Sequence, residues 1–167
     1  SRAATGSMLF GTGVEQDARD SSIQIMALYA GGLGLPDRDY YLKDDAKSKE
    51  LRAQYVRHIE NMLILLGDTP PAAKDGAAAV MRMETALAQA SLTVVERRDP
   101  YKVYHRTTPA ELRTLVPSID WDDYFAALGG KPGAWLNVSE PQAFGQVEAL
   151  LKTEPLDDIK TYPRSTP

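Results

Sequence analysis

Gly31-Gly32-Leu33-Gly34-Leu35-Pro36-Asp37-Arg38-Asp39-Tyr40-Tyr41-Leu42 is the stretch on which the reading of this chain turns. Its glycines allow a tight backbone path where side chains would not fit. Pro36 presets the φ angle of a first helical turn, and Asp37 and Asp39 favour a helix N-terminus. The stretch therefore predicts a corner between extended chain and helix.

Upstream, Leu9 to Asp17 and Ile23 to Tyr29 flank a polar turn at 18–22. Ile23, Ile25 and Ala27 fall on one face and Gln24, Met26 and Leu28 on the other, which predicts an antiparallel hairpin. Downstream the periodicity is helical. Leu51, Tyr55, Ile59, Met62, Leu63 and Leu66 form one stripe over 45–66, with Asp44 or Asp45 as cap and Gly67 as left-handed stop. A second helix opens at Thr69-Pro70-Pro71, with Val80, Met83, Leu87, Ala90 and Val94 as its stripe and Ala77, Ala78, Ala79, Ala86 and Ala88 letting a neighbour approach. The two should pack antiparallel.

Shorter helices follow, each with its own start signal. Thr108-Pro109-Ala110-Glu111 reads as a capping box. Asp120 opens the next helix, with Ile119 and Tyr124 as a staple and Gly129-Gly130 as its end. Ser139 is expected to cap a helix whose apolar face is Phe144, Val147, Leu150 and Leu151. Residues 134–138 read as extended. A last helix begins near Pro155 and is expected to stop at Pro163, which cannot continue the ladder. The fold class is mainly α: a helical lobe of five to six helices with a small N-terminal β-hairpin.

The 167 residues fit one domain with a sizeable core. A net charge of −4 argues against a nucleic-acid partner, which needs a basic surface. No apolar run approaches the ~18 residues of a membrane span. The absence of cysteine removes disulfides and thiolate metal sites together. Ser1 to Met8 reads as a vector remnant, and residues 163–167 as a non-native or truncated tail.

The wording of Gly31 to Leu42 resembles the neprilysin family of zinc metallopeptidases, including bacterial oligopeptidases of the PepO type. The signature positions are Gly32, Gly34, Leu35, Pro36, Arg38, Asp39, Tyr40 and Tyr41. Further blocks arrive in the family's order: Phe10 to Asp17 with Asp20-Ser21-Ser22, Glu96 to Lys102, Thr107 to Leu112, Trp135-Leu136-Asn137, and Pro155 to Tyr162. The resemblance covers residues 9–162. It implies a two-lobed, mainly helical endopeptidase that is extracytoplasmic (periplasmic, secreted or membrane-anchored). One lobe carries the zinc; the other, to which these blocks belong, roofs the cavity and limits access to short peptides.

Those enzymes hold their metal on an H-E-x-x-H helix, and neither His58 nor His105 sits in that motif. In His58-Ile59-Glu60-Asn61-Met62 the second histidine position is Met62 and the glutamate is displaced by one. The glycines at 11, 13 and 31–34 lack the continuation of a phosphate loop. Arg97, Arg98, Lys102, His105 and Arg106, interleaved with Tyr101 and Tyr104, form the basic cluster. It reads either as a contact for a peptide carboxylate or for the missing lobe, or as a solvated face paired with Glu96 and Asp99. Arg38 with Asp37 and Asp39 reads as an internal ion-pair and cap network. Asn137-Val138-Ser139 is a formal glycosylation sequon.

The expectation is thus a part of the cavity-roofing lobe of a zinc endopeptidase, with no catalytic residue and no cofactor of its own. Zinc belongs to the parent enzyme, and the partners are the missing catalytic lobe and the peptide substrate. Self-association is expected of an uncovered docking face. The alternative is a stand-alone peptide-binding or protein-interaction module.

Overall fold

A computed structural model describes residues 9–165, so the expectations for residues 1–8 and 166–167 lie outside the described residues. The hairpin forms as β1 (Phe10–Asp17) and β2 (Asp20–Ala30), closed by Ala18 and Arg19 alone, a shorter turn than the sequence suggested. The helices are α1 (Asp39–Leu42), α2 (Ala46–Leu65), α3 (Pro70–Ala90), α4 (Pro100–Val103), α5 (Pro109–Leu115), α6 (Trp121–Ala127), α7 (Pro141–Thr153) and α8 (Leu156–Ser165). One 3-10 turn, Glu96–Arg98, precedes α4. The fold is mainly α with an N-terminal hairpin, as expected, but the hairpin is half of a larger sheet. β3 (Arg106–Thr107) and β4 (Leu136–Val138) extend it in the order β1-β2-β4-β3, with β4 parallel to β2.

Local signals set most boundaries. Asp45 caps α2, its carboxylate accepting from the Ser48 amide at 2.9 Å. Gly67 (φ +103°) ends α2 in the left-handed region that glycine adopts without penalty. Thr108 and Glu111 make the reciprocal capping box, and Asp120 caps α6 through the Asp123 amide.

Four expectations about helix caps and ends need correction. Thr69 is the cap residue of α3 but its side chain makes no cap bond. Val94 lies beyond α3 and is exposed, because the helix stops at Ala90 and Ser91 Oγ donates back to the Leu87 carbonyl. Residue Glu140, not Ser139, occupies the cap of α7; Ser139 is buried and its amide donates to the Leu28 carbonyl at the end of β4. The backbone of α8 passes through Pro163 to Ser165. The proline removes one ladder donor there, while Ile159 and Tyr162 are already buried on the preceding turns.

One face of the sheet packs on the helices. Phe10 and Leu28 join Ile59, Leu63, Val80, Met83, Leu87, Leu112, Leu136, Phe144 and Tyr162 in one apolar core. Phe10 sits between the rings of Trp121, Tyr124 and Phe144, with centroids 5.2–5.5 Å away in tilted geometry. α8 reaches α2 and α3 where Gly76 leaves no room: an added Cβ would lie 2.9 Å from Leu63 Cδ1 and 3.0 Å from Thr161 Cγ2. The other face of the sheet carries Gly13, Glu15, Ala27, Tyr29 and Asn137 by pairing register. The segment from Glu96 to Tyr104 lies across this second face like a strap.

Candidate functional site

Three side-chain assemblies shape the candidate surface. The first lies under the signature stretch. Glu84 is fully buried on α3, and its carboxylate accepts from Tyr55 Oη (3.0 Å), from the Gly34 amide (3.2 Å) and from Tyr41 Oη. Tyr41 Oη in turn accepts from the Leu35 amide at 2.8 Å, and Tyr162 Oη donates to the Gly32 carbonyl. Burial pushes the Glu84 carboxyl up, and burial together with the Glu84 charge pushes the Tyr41, Tyr55 and Tyr162 phenols up. The glycines are sterically required. A Cβ on Gly34 would fall 1.8 Å from Tyr55 Oη, and Gly32 has φ +79° with Tyr162 Oη 2.9 Å from where its Cβ would be. The signature is therefore a lock that clamps the end of β2 to α1, α2, α3 and α8.

The second assembly closes the hairpin tip. Asp17 is 1% exposed and accepts from Arg106 (2.7 Å), Trp135 Nε1 (3.1 Å), the Arg19 amide (2.9 Å) and Tyr104 Oη. The Tyr104 hydroxyl, and next the Arg106 guanidinium, hold its carboxyl well below the usual carboxylate range. Arg106 also stacks over Trp135, 3.9 Å from the ring centroid.

The third is the strap itself with two grooves beside it. One, about 430 Å³, runs between the second sheet face and the strap, lined by residues that include Glu15, Tyr29, Arg97, Val103, Tyr104 and Asn137. The other, about 590 Å³, is lined by Leu92, Glu96, Tyr101, Lys102, His105 and Gln142 among others. Glu140 borders both. It is 6% exposed and accepts from the Leu92 amide (2.6 Å) and Arg97 (3.3 Å).

The basic cluster is thus gathered on one segment, but most of its charge has an intramolecular partner. Arg97 pairs with Glu140, Lys102 with Glu96 at 3.0 Å, and Arg106 with Asp17. Arg98 is exposed and has no ion pair among the described residues. His105 is half-buried; its amide donates to Asn137 Oδ1 at 2.8 Å, while Nδ1 is buried without a hydrogen-bond partner. Arg38 is not the centre of an ion-pair network. Asp37 instead accepts from the Asp39 amide (3.0 Å), Asp39 pairs with Lys43 (2.9 Å), and Arg38 Nε is buried without a partner. The sequon asparagine is 4% exposed, and its Nδ2 donates to Glu15 (2.8 Å) and the Val103 carbonyl (3.1 Å), so it is a sheet residue closed to a glycan. Sequence reasoning missed Glu84, although a carboxylate between Val80, Met83 and Leu87 on an apolar stripe was a visible signal.

A family model described as peptidase family M13, for the family's N-terminal region, matches residues 1–165. The chain belongs to peptidase family M13. The likeness that Gly31 to Leu42 bears to neprilysin and PepO is thereby borne out. Endothelin-converting enzyme 1 of Bos taurus is 31% identical over 150 residues, which is 90% of this chain and 20% of that enzyme. The zinc metalloprotease Zmp1 of Mycobacterium tuberculosis, solved with an inhibitor, superposes on 97% of the chain with TM-score 0.87 at 30% identity, using 26% of its own length. PepO from Lactobacillus rhamnosis HN001 shares the fold with TM-score 0.77 at 16% identity over 96% of the chain. The chain thus spans about a fifth of the curated M13 relative and a quarter of the solved ones. M13 peptidases depend on zinc. Among the described residues no group of three or more His, Cys, Asp or Glu is arranged to hold a metal ion, so the residues present do not fit that ion. No helix among them is long and apolar enough to cross a membrane.

Proposed function

We propose that this chain is part of the non-catalytic helical lobe of a neprilysin-like zinc endopeptidase. In that lobe it forms a wall of the chamber, limits access to short peptides and leaves hydrolysis to the remainder of the enzyme. The observation that carries this reading is that nearly the whole chain superposes on a quarter of Zmp1 while its own described residues offer no metal-ligand group. Its partners are then the catalytic lobe and the peptide substrate, its zinc is the parent's, and the parent works outside the cytoplasm. Residues 9–162 act as one piece of that lobe.

Exposed apolar groups support a docking role. Ile64, Leu65 and Leu66 lie open at the end of α2, as do Val94, Val95 and Tyr101 beside the basic cluster. Arg97, Arg98, Lys102, His105 and Arg106 are on this reading the polar part of the contact with peptide or catalytic lobe.

A split assay tests it. The chain is mixed with the remaining portion of an M13 peptidase, and cleavage of a series of peptides of increasing length is followed. The expected result is that the two pieces together cleave short peptides in preference to long ones, and that the chain alone cleaves neither. A length profile that is the same with and without the chain would contradict the wall role.

A further inference from the structure

The groove on the second sheet face has a chemistry that the wall role does not use. Its floor is made by Tyr29, whose ring lies across Gly13, 3.1 Å from where a Cβ would be. Its sides are Pro100, Val103 and Tyr104 from the strap. At one end stands Glu15. Both of that carboxylate's contacts are neutral: Tyr29 Oη donates at 2.7 Å and Asn137 Nδ2 at 2.8 Å. No cation pairs with Glu15 among the described residues, and Arg97, the cation that lines the groove, is taken by Glu140. A carboxylate has about four acceptor sites, so roughly two remain open.

We infer that this groove takes the arginine side chain of an extended peptide. Three properties select that occupant. The volume of about 430 Å³ accommodates an arginine side chain together with the peptide backbone that carries it. The walls are two tyrosine rings, a proline and a valine, which suit an aliphatic stem and a guanidinium lying flat on an aromatic face. The end wall is one carboxylate already oriented by two fixed donors, which suits a two-pronged donor better than a point charge. The orientation is built into the sheet: glycine at 13 makes room for the Tyr29 ring, and β4 pairing places Asn137 beside β2. The inference concerns binding by the chain itself and stands independently of the wall role.

The test is a titration of the full chain with Nα-acetyl-arginine amide and with its uncharged near-isostere Nα-acetyl-citrulline amide, read by calorimetry and by amide NMR shifts. The arginine probe is expected to bind about tenfold or more tightly than the citrulline probe, as a charged hydrogen-bonded pair requires. The shifts should centre on Glu15, Tyr29, Tyr104 and Asn137, and E15Q should bring the two probes to equal affinity. Equal binding of both probes to the wild-type chain, shifts centred elsewhere, or no binding would each overturn the inference. Since the two probes are compared on the wild-type chain, the result stands even if E15Q folds poorly. The split assay reports on the wall role whatever this titration gives.

Discussion

Gly34 shows how a single atom can fix a corner of the fold. Its φ is not in the left-handed region, so the constraint on it is steric: the Tyr55 hydroxyl stands where a methyl would go. Gly34→Ala should push Tyr55 off Glu84, combining a clash with a lost half-buried hydrogen bond at a cost of about 3 kcal/mol. The cost should shrink by roughly half or more in a Tyr55→Ala background, because the clash partner is gone. Urea denaturation of the two single variants and the double variant measures this coupling. Strict additivity would mean that the two residues do not meet as described.

At the scale of elements, Asp17 ties the end of the strap and the start of β3 to the hairpin tip. Asp17→Ala removes the acceptor shared by Tyr104, Arg106, Trp135 and the Arg19 amide. Amide hydrogen exchange should then quicken at the hairpin turn and over Tyr104 to Thr107, with the α2–α3 pair unchanged. Uniform acceleration across the helices would contradict a local role.

These elements also mark what the sequence could and could not say. The hairpin, the capping box at Thr108 and the glycine stops at 67 and 129 were legible, because each rests on contacts within a few residues. β4 was legible only as an extended stretch within 134–138, and β3 and the pairing of both into the sheet were not: β4 and β3 are three and two residues long, and their partners are distant in sequence. The Glu84 and Asp17 assemblies were hidden for the same reason. Their hydrogen bonds span up to 130 and 118 residues of the chain. Of the candidate site, the location of the basic cluster on one segment was legible, whereas the pairing of Arg97 with Glu140 and of Arg106 with Asp17 was not.

For the whole molecule, the ionisable groups that the fold shifts set opposing pH limits. Asp17 is depressed in the fold, and Glu96 is lowered to about 2 by the Thr93 amide and Lys102. Their contributions are present above the unfolded values near 4 and are lost as pH falls through the folded ones. Glu84 works the other way: its folded value is raised, so its contribution is greatest in acid and declines as pH rises past its unfolded value. On the alkaline side Tyr29 is pushed up to about 12, chiefly by burial, and Tyr41, Tyr55 and Tyr162 are also raised. Their stabilisation holds below the unfolded value near 10 and is lost above it. A melting temperature measured across pH should fall moderately below about 4 and fall steeply above about 10. A molecule that melts at the same temperature at neutral pH and well above pH ~10 would contradict the tyrosine lock.

The most direct test of the central claim is a peptide-hydrolysis assay on the purified chain, with and without added zinc. A quenched fluorescent peptide serves as substrate, and zinc uptake is followed by calorimetry in parallel. A chain that forms only a wall of the chamber should take up no zinc in a defined site and release no product above the buffer rate. Stoichiometric zinc binding with metal-dependent cleavage would place the catalytic centre in this chain and contradict the account.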